Sequence, residues 1–149
     1  MHKDGADLYS MCNGTVVYKT FDADGFGYYI IMKDSATGMG FLYGHLREES
    51  PLNVGDNVQI GQYVGHEGTS GSSTGIHLHL EMQDISNHDW IFGADLSQYE
   101  NPADFMGIPN TQGISAIYNG TPQPPEPEQK NKNSTKWLKF RSRKIILRL

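Results

Sequence analysis

Cysteine is nearly absent from this 149-residue chain: Cys12 stands alone. One thiol excludes an intrachain disulfide framework and any cysteine-based zinc cluster. Beside the Asn13-Gly14 turn signal it reads as a small buried residue. No run of about 18 apolar residues occurs, so no helix is expected to span a membrane, and no secretory signal pattern opens the chain. Basic residues are scarce outside the C-terminal end. Of the 12 Lys and Arg, 8 lie from Lys130 onward with no acidic residue among them. The remaining 4 face all 17 Asp and Glu, a net of −13 for the body. Such a body is unsuited to gripping nucleic acid phosphates. A helical repeat of confident length is also missing.

Glycine (17) and aromatic residues (11%) are plentiful, a composition that suits short strands joined by tight turns. Thr15 to Tyr18, Tyr28 to Met32 and Gly40 to His45 read as strands, separated by turn signals at Asp22-Ala23-Asp24-Gly25 and Ala36-Thr37-Gly38. Val54-Gly55-Asp56 and Ile60-Gly61-Gln62 mark bends around Val58 and Val64. Gly68 to Gly75 carries three glycines among five Ser and Thr residues and is read as a loop, followed by a strand over Ile76 to Met82. A turn or two of helix is expected after Asn101-Pro102. The Pro- and Glu-rich stretch at Pro122 to Glu128 reads as an extended linker. This divides the chain into a folded unit over 1–108, a linker over 109–129 and a basic, partly apolar tail over 130–149. The tail reads as an amphipathic segment, a strand of a further domain or a frayed end. It is the part suited to touch an anionic wall polymer or lipid surface.

The chemistry concentrates in histidines. On a strand, residues two apart share a face, so His77-Leu78-His79 presents two imidazoles together while Leu78 and Leu80 face a core. Rigidly held neutral nitrogen donors are what zinc ligation requires; the alternative is a pair of histidines hydrogen-bonded on a wet face. His45 closes the third strand after Tyr43-Gly44. Asp7 offers a carboxylate and His2 a further imidazole. Two His and one Asp around zinc, with an open position, make a chemically sensible hydrolytic site.

These pieces resemble the M23 family of metallopeptidases, of the lysostaphin and LytM type. Gly68-Thr69-Ser70-Gly71-Ser72-Ser73-Thr74-Gly75-Ile76-His77-Leu78-His79-Leu80-Glu81 is similar to the family's G-x-T-G-x-S-T-G-x-H-L-H-F-E stretch. Val54 to Gln62 resembles its V-x-x-G-D-x-V-x-x-G-Q region, one residue shorter. Gly25-Phe26-Gly27, Tyr43-Gly44-His45-Leu46 and Asn101-Pro102 match further family pieces in order. The resemblance covers about residues 2 to 108. It implies a small all-β fold, an antiparallel sandwich and barrel hybrid of the LytM type. It also implies a Zn2+-dependent endopeptidase acting on peptide cross-bridges or stem peptides of bacterial peptidoglycan. Such a protein would be secreted, held at the cell envelope, or encoded by a phage as a lysin. Carried over by position, His2, Asp7 and His79 would be the zinc ligands and His45 and His77 the catalytic pair, His77 as base and His45 as stabiliser. The alternative is a catalytically impaired wall-binding or regulatory domain on the same scaffold.

One departure concerns the first ligand pair. The family places them four positions apart, whereas His2 and Asp7 are five apart, which on a strand turns one side chain to the other face. Glu81 is expected to support a histidine by a hydrogen bond. His66 and His88 read as surface residues. The serines of the loop lack the strand-to-helix elbow of a serine hydrolase.

Overall fold

The computed structural model describes residues 5–106 and the backbone of residues 146–147. His2, the linker and most of the basic tail lie outside the described residues. The chain folds into antiparallel strands in two sheets, the all-β architecture expected from its turn spacing. The larger sheet runs in the order β5 (Asn57–Val58), β2 (Gly14–Asp22), β3 (Gly27–Asp34), β4 (Met39–Leu46), β7 (Leu78–Asp84) and β8 (Tyr99–Glu100). β9 (Ile146–Leu147) pairs with β7 beside Leu78 and His79, so one strand of the basic tail adds to this sheet. The smaller sheet pairs β1 (Asp7–Tyr9) with β6 (Tyr63–His66).

Side-chain chemistry fixes the turns. Asp34 Oδ1 accepts hydrogen bonds from the Ala36 and Thr37 amides and from the Thr37 hydroxyl, closing the β3–β4 hairpin as an Asx turn. Asp22 Oδ1 does the same for the Asp24 amide in the β2–β3 hairpin. The short helix α1 (Pro102–Met106) begins where Asn101-Pro102 indicates, with Asn101 Oδ1 accepting from the Ala103 amide at 2.9 Å.

Alternation then gives the large sheet two apolar faces. The inner face carries Val16, Ile30, Met32, Phe41, Tyr43, Leu80 and Met82, which share a core with Leu8 and Val64 of the smaller sheet. Burial of each such side chain contributes roughly 1.5–3 kcal/mol. The fully buried Tyr43 accepts from the Met11 amide and donates to the Tyr9 carbonyl, tying the β1–β2 connection to the core. Cys12 is completely buried in the same core, as its composition suggests. The outer face holds Tyr29, Ile31 and Leu42, partly covered by Phe26 and Trp90. In register on that face lie Gly44 opposite His79 and Leu42 opposite Glu81. The outer face of β4 and β7 is therefore where the chemistry-bearing side chains stand.

Candidate metal centre

Three imidazoles converge at one end of the outer face. One ligand atom from each of His45, His77 and His79 lies within 4.8 Å of the other two, the only such group of His, Cys, Asp or Glu among the described residues. His77 enters just before β7, where it bridges Gly68, and His79 follows two residues later on the strand. The period of two brings them together as the sequence predicts. His45 arrives by a different route. It sits near the end of β4 with φ 58°, the only non-glycine residue in the left-handed region among those described. That conformation is costly for a residue with a Cβ and clusters at functional sites. Its amide donates to the Phe26 carbonyl at 2.7 Å, which helps hold the turn.

A second group tethers each ring, and the tether decides which nitrogen carries the proton. His45 Nδ1 lies 2.8 Å from the Ser70 carbonyl oxygen, and His77 Nδ1 lies 2.8 Å from the Gly75 carbonyl oxygen. A carbonyl only accepts, so both rings, when neutral, carry hydrogen on Nδ1 and the lone pair on Nε2. His79 is reversed. Its Nε2 lies 2.8 Å from Glu81 Oε1, which makes Nδ1 the lone-pair nitrogen. Both partners are buried, and Glu81 Oε2 is buried with no hydrogen-bond partner. The supporting role read for Glu81 is thus the one it has. The two carbonyl tethers were not foreseen, because main-chain acceptors leave no residue-type signal.

The Gly-rich loop reaches these positions by close backbone packing. A Cβ on Gly71 would meet the Gly27 nitrogen and the Gly25 carbonyl, and one on Gly27 would meet the main chain and hydroxyl of Ser70. Both glycines have positive φ, 69° and 64°. The Ser70 hydroxyl adds a bond from the Tyr28 amide at 3.0 Å and donates to the Leu46 carbonyl. The hairpin turn, the loop and the end of β4 are thereby fastened together around His45. Phe26 packs its ring 5.1 Å from that of His79.

The other residues singled out in the sequence lie apart from this group. Asp7 Oδ1 is 2.9 Å from His66 Nε2, and the opposite nitrogen of His66 is 2.9 Å from Glu48 Oε1 and 2.7 Å from the Tyr63 hydroxyl. The described geometry therefore engages Asp7 with His66 across the β1–β6 pair and does not bring it to the three histidines. His2 lies outside the described residues. His88 is exposed, with Nδ1 on the Asp89 carbonyl, as a surface residue would be.

Three imidazole nitrogens without a thiolate form a donor set able to coordinate a borderline divalent metal ion such as zinc. Of the three ligands that the resemblance implies, His79 belongs to this cluster, Asp7 is paired with His66 and His2 lies outside the described residues.

Comparison with known proteins agrees with this geometry. Residues 1–90 match the profile of Peptidase family M23. A catalytic-domain mutant of the prophage-encoded M23 protein EnpA from Enterococcus faecalis is 27% identical, with a TM-score of 0.51 over 61% of this chain and 72% of that one. The catalytic domain of the antimicrobial peptidase lysostaphin from Staphylococcus simulans is 25% identical, with a TM-score of 0.57 over 70% and 73%. A putative glycyl-glycine endopeptidase lytM from Ruminococcus gnavus is 28% identical, with a TM-score of 0.52 over 61% of this chain and 39% of that one.

Proposed function

This chain belongs to peptidase family M23, and from that premise we propose that it is a zinc-dependent endopeptidase hydrolysing peptide cross-bridges or stem peptides of bacterial peptidoglycan. The observation that carries the reading is the convergence of His45, His77 and His79 within 4.8 Å, each ring held in a defined tautomer. A glycyl-glycine bond is the natural first substrate to test, given the name of the Ruminococcus gnavus relative. Action on such walls places the protein outside the cell or at the envelope.

His79 would hold the zinc through Nδ1, its lone-pair nitrogen, with Glu81 fixing the ring from behind. His2 and Asp7 would be the further ligands, Asp7 being the carboxylate that pairs with His66 in the described geometry. When bound, zinc supplies Lewis-acid polarisation of the carbonyl to be attacked. His77, with Nδ1–H committed to Gly75, presents Nε2 to take the proton of the attacking water and pass it to the leaving amine. His45 has the same polarity, so it stabilises a developing oxyanion in its protonated form, donating from Nε2 while Nδ1 stays on Ser70. The left-handed backbone at His45 is consistent with a residue held for this purpose.

The test is mass spectrometry of products released from purified peptidoglycans of several cross-bridge types, with zinc-loaded protein and a chelated control. New peptide termini that vanish with the chelator are the expected result. Folded, zinc-loaded protein that cleaves no wall would replace this reading with that of a wall-binding or regulatory domain.

A further inference from the structure

The outer face of the large sheet does not end at the histidines. In register across it, Thr20 lies opposite Tyr29 and Tyr18 opposite Ile31, so these residues share the face that carries His79. Gly44 has no side chain there, and a Cβ on it would touch Phe26 and His79 at 3.4 Å. The Phe26 ring occupies this gap and links the metal centre to the rest of the face. From His79 the rings run to Phe26 at 5.1 Å, to Tyr29 at 5.5 Å and to Tyr18 at 5.8 Å, with Phe92 at 5.6 Å from Tyr18 and 6.0 Å from Tyr29.

The near end of this path is packed and the far end is open. Tyr29 is 6% exposed, whereas Tyr18 is 42% and Phe92 48% exposed. Two exposed rings side by side form a contiguous apolar patch, the kind of surface that marks an interaction site. Phe92 is also not on a loose loop. The buried Gln83 of β7 accepts from the Ile91 amide at 2.8 Å and donates to the Ile91 carbonyl at 3.3 Å, so the strand bearing His79 itself positions the neighbouring ring. Rings held in place before binding keep the ordering cost of an occupant low.

We propose that Tyr18 and Phe92 form an outlying subsite that grips an extended peptide arm of the substrate, at most about five residues from the bond that is cut, at about 3.4 Å per extended residue. The proposal rests on the peptidase reading of the histidine cluster. A peptide is the occupant because the aromatic path is continuous with the centre where the peptide bond would be cut, so an arm leaving that centre passes over the half-buried Phe26, with Tyr29 packed beneath, before reaching the open rings. Aromatic anchors of this kind dominate recognition energy at interfaces. The role of Tyr18 and Phe92 is positional and contributes to specificity; neither is catalytic.

Two synthetic glycine-rich peptides decide the matter, with the same cleavable core and arms of two and six residues. For the full chain, and for Tyr18→Ala, Phe92→Ala and Tyr18→Phe, three quantities are measured: KM and kcat by product analysis, and Kd by calorimetry. The expected result is a several-fold weaker KM and Kd for the long peptide in both alanine variants, with kcat and the short peptide unaffected and Tyr18→Phe close to the parent. Zinc content and the thermal midpoint, unchanged in the variants, exclude a merely structural loss. Equal binding of long and short peptides by the parent would overturn the proposal, as would equal weakening of both by the variants. Weakening confined to whole walls would assign the rings to the glycan strand and also overturn it. Absence of turnover would count against the peptidase reading, while the Kd comparison would still decide the subsite.

Discussion

At the residue scale, the tethers on the three imidazoles divide holding a metal from moving a proton. His79→Ala removes the ring backed by a carboxylate and is expected to abolish zinc retention, measured by elemental analysis after desalting. His77→Ala is expected to keep zinc and lose turnover by about 10²–10⁴-fold, the range of a lost general base. Unchanged zinc in the first variant, or near-normal cleavage by the second, would reverse these assignments. Glu81 is tested separately. Glu81→Ala leaves His79 Nε2 without its acceptor and should weaken zinc roughly 10–100-fold in a chelator competition, whereas Glu81→Gln keeps an oxygen in place and should lose far less. Much of this was legible beforehand: His-Leu-His on a strand and Glu81 beyond it follow from a period of two. The left-handed turn at His45 was not, because histidine carries no positive-φ signature comparable to that of glycine.

At the element scale, the strands and turns were readable because each hairpin carries its own chemistry, Asp34 with Thr37 in one and Asp22 with Asp24 in the other. β1, β5, β6 and β8 were not read as strands, being two to four residues long and defined by a partner distant in sequence, and β9 falls where a strand was one of three readings of the tail. The pairing of Asp7 with His66 belongs to this class, since only the β1–β6 register brings them together. The loop that supplies the carbonyl tethers is shaped by contacts between glycines. Gly71→Ala and Gly27→Ala each place a Cβ on main-chain atoms in left-handed backbone. Each is expected to cost more than about 1 kcal/mol in denaturant unfolding, the cost of incompatible backbone. Because the loop carries the Ser70 carbonyl, activity should fall further than the loss of folded protein explains. Gly75→Ala, where a Cβ meets nothing within 4 Å, is the matched control.

At the scale of the whole molecule, buried acidic hydrogens give the fold a dependence on alkaline pH. Burial pushes the Cys12 thiol up from 9.0 to about 11, and burial also raises the Tyr43 phenol well above its ordinary 10.0. Both groups favour the protonated form in the folded state, so above the unfolded values the unfolded chain binds fewer protons than the folded one. Stability is therefore full below about pH 9 and falls between pH 9 and 11, by roughly 2–3 kcal/mol for the thiol alone at 1.36 kcal/mol per pKa unit. Tyr43 adds to the loss above pH 10. Denaturant midpoints at pH 8 and 10.5 check this, and Cys12→Ala should flatten the thiol's share. A flat profile in the parent would show that the thiol is not held in the core. The all-β class was legible from composition and turn spacing. The addition of β9 to the edge of β7 was not, because the tail's composition allows several fates and only the fold offers it a partner.

Two of the three tethers on the histidine cluster are main-chain oxygens, those of Ser70 and Gly75, which no side-chain substitution can delete. Mutational drift can erase the Glu81 tether in one step, but it reaches the other two only by re-routing the loop. Ser72 and Thr74 are thus free to diverge between related chains so long as the glycines that set the path persist, whereas Ser73 Oγ donates to the Gly75 carbonyl at 2.9 Å and lies 3.4 Å from His77 Nδ1. The tautomers of His45 and His77 are inherited through the shape of the loop, and a library randomised at Ser72 and Thr74 should retain far more working members than one randomised at Gly71.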